Sequence, residues 1–219
     1  CDHHFTYGYF MFGAAVLATY DKEFLNDYRD MIELLVRDYA DPKEPEDDGN
    51  MFCKFRAFDQ YSGHSWAGGY GDSDTGNNQE SASEALFSWV GMYLWGEATQ
   101  NEIYIDAGAY GFTTEMDAIE QYWFDYDEDN WLPAYPFQAA GQIYGASMGY
   151  GTYFGGQPVY IYGIQWLPVS EYLTNYGMNQ AKCKKIYKGL EDDTAYAISI
   201  EKRLGNITED DEYATPDNG

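Results

Sequence analysis

Two stretches of this chain hold carboxylates beside aromatic and amide side chains: DHHFTYGYF at residues 2–10 and NNQESASEA at residues 77–85. In the second, Glu80 and Glu84 lie four residues apart, a spacing that turns both toward one side of a helix with Cβ atoms roughly 5–6 Å apart. Asp2 adds a third acid from a remote segment. Such a set suits cleavage of a glycosidic bond, in which one carboxyl keeps its proton while another stays ionised. Inverting cleavage holds the two about 6.5–9.5 Å apart to make room for a water. One helical turn is short for that task, so the natural division puts the acid on Asp2 and the base on Glu80, with Glu84 orienting the base or the water. Partial burial among Phe5, Tyr7 and Tyr9 would keep Asp2 protonated.

Other readings compete for the same residues. Ser81 to Glu84 fits the S-x-x-E capping box, and Asn77 to Glu80 resembles a related helix start, so spacing alone leaves both glutamates open. Cys1, Asp2, His3 and His4, with Cys53 or His64, could be metal ligands. In an extended segment, however, only Asp2 and His4 converge, and two ligands do not make a zinc site. DYDEDN at 125–130 begins like a calcium loop, but Asn130 replaces the required glycine and Pro136 the bidentate glutamate, which leaves a solvated acidic turn. No GxSxG elbow surrounds Ser65 or Ser81. Neither a metal nor another cofactor is expected.

Composition narrows the partners. With 12 basic against 37 acidic residues the net charge is −25, which repels phosphate backbones and anionic lipids and leaves a neutral ligand unaffected. The 219 residues are 45% hydrophobic and 19% aromatic, enough for one substantial core. No apolar run approaches the roughly 18 residues that span a bilayer. Three widely spaced cysteines, Cys1, Cys53 and Cys183, match neither a zinc ribbon nor a disulfide scaffold. A start on Cys1, directly before the most distinctive motif, reads as a piece of a longer protein.

The elements that must position these groups are mostly helical. Residues 8–19 read as a buried helix; Asp21 caps a second, with Phe24, Tyr28, Ile32, Leu35, Val36 and Tyr39 at helical spacing until Pro42. Helical spacing returns from Ser81, again over 101–124, and over 169–204. Between them lie irregular Gly- and aromatic-rich stretches at 51–76 and 127–168, with strand character only in short pieces such as Val159 to Tyr162. Long loops in compact domains are usually functional. Paired helices ringed around a core would gather these loops at one end as a cleft. Their aromatics, Tyr61, Trp66, Tyr70, Trp131 and Trp166, offer flat rings for sugar stacking or plugs for local clusters.

Taken together, DHHFTYGYF, GHSWAGG (63–69), GNNQESASEA (76–85), TTEMDAIEQYWF (113–124) and YGIQWLPVSEYL (162–173) resemble glycoside hydrolase family 81, the inverting endo-β-1,3-glucanases that cut laminarin and fungal wall glucan. The likeness runs from Asp2 to about Leu173 and is weaker over 174–219. It implies a mainly α fold in which residues 1–219 are part of an (α/α)6 catalytic barrel, with further helices and a β-sandwich upstream. It also implies catalytic roles for Asp2 as acid, Glu80 as base and Glu84 as the assisting carboxylate. Substrate contacts are expected from His4, Tyr7, Tyr61, His64, Trp66, Gln79 and Trp166. Thr6 and Tyr162 depart from the family's pattern, which has histidines there. The implied partner is β-1,3-glucan, without nucleic acid or membrane, and the implied location is extracellular, since the polymer cannot enter a cell. The alternative is a β-glucan-binding module without catalysis.

Overall fold

A computed structural model describes residues 1–43, 51–68, 71, 74–173 and 179–208. Six helices carry the architecture: α1 (His3–Tyr20), α2 (Lys22–Ala40), α3 (Ala82–Thr99), α4 (Glu102–Tyr122), α5 (Pro158–Gly163) and α6 (Gln180–Leu204). Helix α1 begins five residues before the expected start at residue 8, so the DHH motif opens a helix instead of forming an extended segment. Asp21 accepts the N–H groups of Glu23 and Phe24, both at 3.0 Å, and thereby turns the chain from α1 into α2. Asn101 caps α4 in the same way, accepting the N–H of Ile103 at 3.1 Å. Helix α2 ends at Ala40, ahead of Pro42.

These short turns make two αα-hairpins, α1–α2 and α3–α4. Between the hairpins α1 and α3 run parallel, because Gly8 faces Ser88 while Met11, three residues on, faces Gly91. The approach is close: a Cβ on Gly91 would lie 2.9 Å from Met11 Cβ and 3.0 Å from the carbonyl oxygen of Gly8. Helices α1 and α3 are apolar on several faces, as expected of helices walled in by neighbours, whereas α2 buries only Ile32, Val36, Tyr39 and Ala40. One core fills the space among α1, α2 and α3 with Met11, Val36, Tyr39, Trp89 and Trp95. A second joins α3 and α4 to the later segments through Leu86, Phe87, Trp123, Ile143, Ile161 and Ile186.

The loops are irregular with short strands. β1 (Phe58–Asp59) pairs antiparallel with β2 (His64–Ser65), and β3 (Asn78–Gln79), β4 (Gln142–Tyr144) and β5 (Met148–Gly149) form a small antiparallel sheet in that order. The stretch Val159 to Tyr162, expected to be extended, is instead in α5. Pro158 stands in its first turn, where a fixed φ favours helix, and Ile161 and Tyr162 bury one face. Tyr162 and Tyr150 donate their hydroxyls to Asp193 of α6 at 2.8 and 2.7 Å, tying α6 to the loop. Among the described residues no helix is long and apolar enough to cross a membrane.

Candidate active site

Because α1 and α3 run parallel, their N-terminal ends lie at the same end of the molecule, and the three acids sit there. A backbone ladder sets their spacing: the Asp2 N–H donates to the Ala67 carbonyl at 2.8 Å, and the Ala67 N–H to the Asn78 carbonyl at 2.8 Å. Beside it, Gln79 Nε2–H donates to His4 Nε2 at 2.9 Å across 75 residues of sequence. Burial lowers the His4 pKa to about 3, so the ring is neutral and can accept that bond. The first turn of α1 is thus fixed to the strand that runs into Glu80.

Glu80 is not on the helix. It occupies the link between β3 and α3, and only Glu84 lies in the first turn of α3, so the shared helical face expected for the pair does not form. The Glu80 carboxyl is half-buried; Oε1 accepts the Tyr153 N–H at 2.6 Å and stands 3.5 Å from Gln142 Nε2. Oε2 accepts no hydrogen bond from a described residue. Burial raises its pKa, the Tyr153 N–H opposes that rise, and the charges of Asp2 and Glu84 add to it. Both other acids therefore act on Glu80 through space. Glu84 accepts the Tyr9 hydroxyl at 2.8 Å, and burial together with this carboxylate pushes the tyrosine pKa well above its ordinary value.

The expected burial of Asp2 is not found, since it is exposed at the helix start. Phe5 turns inward onto Ala67 and Ala85, Tyr7 packs toward the first core beside His3, and Tyr9 is engaged with Glu84. The capping box is absent as well. Ser81 Oγ donates to the Ile164 carbonyl at 3.1 Å, as does Ser83 Oγ, while Gln165 Oε1 accepts the Ala82 N–H at 3.0 Å. Gln165 Nε2–H donates onward to the Gly141 carbonyl at 3.2 Å. A distant side chain thus caps α3, and Glu84 is left facing its neighbours. The signal for Gln165 was its place in the YGIQWLP block, but spacing cannot reveal a cap supplied from 83 residues away.

The expected substrate contacts divide by exposure. His4, Gln79 and His64 are 1%, 0% and 2% exposed and pack here as part of the frame. His64 Nδ1–H donates to the Ser65 carbonyl at 2.8 Å, and its ring lies between Trp66 and Trp123. Trp66 is half-buried and donates Nε1–H to Asp59 at 3.1 Å; Trp166 is half-buried against Phe124. Tyr61 stands in solvent at the β1–β2 turn, 99% exposed, and Tyr70 lies outside the described residues. Trp131 is held by the Tyr122 carbonyl and Tyr135. The departure at Tyr162 falls in the core, not the cleft, since that residue is 2% exposed.

The metal readings change with the helix start. His4 points inward away from exposed Asp2, so that pair does not converge, and His3 bonds Asp38 at 2.5 Å, with Arg56 on the same carboxylate at 2.9 Å. No group of three His, Cys, Asp or Glu among the described residues could hold a metal ion. In the acidic turn, Asp125 accepts the N–H groups of Asp129 and Asn130, while Glu128 pairs with Lys182 and Lys185. None of the three cysteines forms a disulfide.

Residues 1–189 match the model of the glycosyl hydrolase family 81 C-terminal domain, past the limit near Leu173 read from motifs. A glucan endo-1,3-beta-D-glucosidase of Acetivibrio thermocellus is 39% identical over 171 residues, 77% of this chain and 22% of the relative. A primary septum glucan endo-1,3-beta-D-glucosidase of Schizosaccharomyces pombe is 35% identical over 173 residues, 77% of this chain and 17% of the relative. A solved glycoside hydrolase family 81 mutant from Clostridium thermocellum superposes with a TM-score of 0.81 at 32% identity, covering 97% of this chain and 32% of that one. The chain therefore spans about a fifth of the length of these curated relatives. The mainly α class, with hairpins of the kind that wall an (α/α)6 barrel, is borne out by this superposition.

Proposed function

Because this chain belongs to glycosyl hydrolase family 81, we propose that the protein carrying it hydrolyses internal β-1,3-glucosidic bonds of β-1,3-glucans by an inverting acid/base mechanism. In this reading residues 1–219 are part of one catalytic (α/α)6 domain that acts outside the cell, where polymeric glucan is met. The observation that carries it is the meeting of three acids at one end of two parallel helices. Half-buried Glu80 there feels the charges of both Asp2 and Glu84, and the described residues donate to only one of its oxygens.

Each acid has a step. Glu80 Oε2 takes a proton from a water as the water oxygen attacks the anomeric carbon from the face opposite the leaving group. Asp2 gives its proton to the glycosidic oxygen as that bond breaks, and a glucan lying over this exposed acid excludes water from it. Glu84, held through Oε1 by Tyr9, has its other oxygen available to orient the attacking water. The product carries the inverted anomeric configuration, and exchange with solvent returns the proton from Glu80 to Asp2.

The test uses the intact protein on laminarin, with polarimetry or NMR reading the anomer first released. Release of the α-anomer, abolished in Glu80→Gln, is the expected result; a β-anomer, or unchanged turnover in Glu80→Gln, ends the proposal. Retention on insoluble glucan without any reducing-sugar release would support the binding-module alternative.

A further inference from the structure

The turn at residues 152–155 touches the proposed base and was not singled out by any sequence motif. Thr152 closes it: its N–H and Oγ1–H both donate to the Gly155 carbonyl, at 2.9 and 2.6 Å, and the Gly155 N–H returns a bond to Thr152 Oγ1 at 3.0 Å. This clamp puts Tyr153 and Phe154 at the tip. Phe154 leans on Tyr160 of α5 with ring centroids 5.4 Å apart, anchoring one side of the tip. Tyr153 does the opposite. Its backbone N–H bonds Glu80 Oε1 at 2.6 Å while its side chain is 92% exposed, with no ring neighbour among the described residues.

A lone exposed tyrosine needs no explanation. This one is joined through its own backbone to the proposed base, so its ring stands within one side-chain length of the hydrogen bond to Glu80. A flat apolar face with a polar edge suits a pyranose ring. The net charge of −25 disfavours anionic ligands and leaves neutral saccharides unaffected.

We propose that the 152–155 turn has two separable roles in this site: the Tyr153 ring is the stacking platform for a glucosyl unit beside the scissile bond, and the Tyr153 N–H, held by the Thr152 clamp, is the positioning group for Glu80. This rests on the β-1,3-glucanase reading given above.

The two roles predict different failures in the full-length protein. Calorimetric titration with laminarihexaose, in a Glu80→Gln background that prevents turnover, isolates the ring. Tyr153→Ala weakens binding about fivefold to tenfold, and Tyr153→Trp restores it. In the active background Tyr153→Ala raises KM and leaves the acid limb of the kcat–pH profile in place, because the backbone N–H remains. Thr152→Ala loosens the clamp, lowers kcat, and moves that limb to higher pH, because the N–H it weakens is a group that holds the Glu80 pKa down. Unchanged hexasaccharide binding in Tyr153→Ala overturns the platform; an unmoved limb in Thr152→Ala overturns the positioning role. If the parent protein binds the hexasaccharide but cuts no glucan, the hydrolase reading fails while the Tyr153→Ala titration still decides the platform.

Discussion

Glu80 and Glu115 are both glutamates whose pKa burial raises, yet they sit in opposite circumstances. Glu115 of α4 is wholly enclosed, and its two oxygens accept the Ser65 N–H at 2.7 Å, the Ser65 hydroxyl at 2.8 Å and the Trp89 Nε1–H at 2.7 Å. Burial outweighs those donors and lifts its pKa to about 7. Glu80 is half-buried at the mouth of α3, bonded through one oxygen, with two other acids acting on it. A fully satisfied buried carboxyl fastens the β2 strand to α3 and α4, whereas one with a free oxygen can take a proton from a reactant. Burial alone does not single out a candidate catalytic acid; hydrogen-bonding capacity left unfilled by the described residues does.

The sharpest way to break this contrast is to exchange the expected losses. In the intact protein Glu80→Gln should cut kcat on laminarin by about 10²- to 10⁴-fold while leaving the denaturation midpoint nearly unchanged. Glu115→Ala should do the reverse, orphaning three buried donors at a total cost of about 3–5 kcal/mol in chemical denaturation. A Glu115→Ala protein as stable as the parent, or a Glu80→Gln protein that unfolds easily, would erase the distinction.

Next comes pH. The folded-state pKa of Glu115 lies above its ordinary value of 4.5, so its contribution is full below that value and is lost as pH rises through about 7. Melting followed from pH 4.5 to 8 should show stability falling by up to about 3 kcal/mol from this group, a slope that Glu115→Gln should flatten. A smaller separation concerns the N-terminus of α3. Gln165→Ala removes its cap and should cost about 1–2 kcal/mol in urea unfolding, with partial rescue by Glu at this position, which keeps the acceptor oxygen. Smallest is the charge of Glu84, one of the groups that raise the Glu80 pKa. In Glu84→Gln the acid limb of kcat/KM should therefore move to lower pH; a move to higher pH would mean that Glu80 does not set that limb.

Much of the helical frame was legible because it rests on local signals. Asp21 as a cap, Pro42 as a stop and the apolar spacing of Ile32, Val36 and Tyr39 fix α2 through neighbours in sequence, and α3 and α4 follow by the same rules. Local rules misled where a remote group took over a local task. Ser81 and Glu84 carry the pattern of a capping box, yet Ile164 engages Ser81 and Gln165 supplies the cap. Val159 to Tyr162 has strand-forming residue types, but Pro158 and burial against the second core make it helical.

The sequence by itself determined which acids were available, the strongly negative net charge, and most of the helices, because these follow from residue type and near-neighbour spacing. Only the tertiary structure decided that His4, Gln79 and His64 are frame, that Asp2 is exposed, that Glu115 is fully engaged, and that the Tyr153 backbone reaches Glu80. Those outcomes depend on contacts between segments tens of residues apart. A side chain's burial and hydrogen-bond partners are set by what the fold brings to it from a distance, which its own neighbours in sequence do not encode.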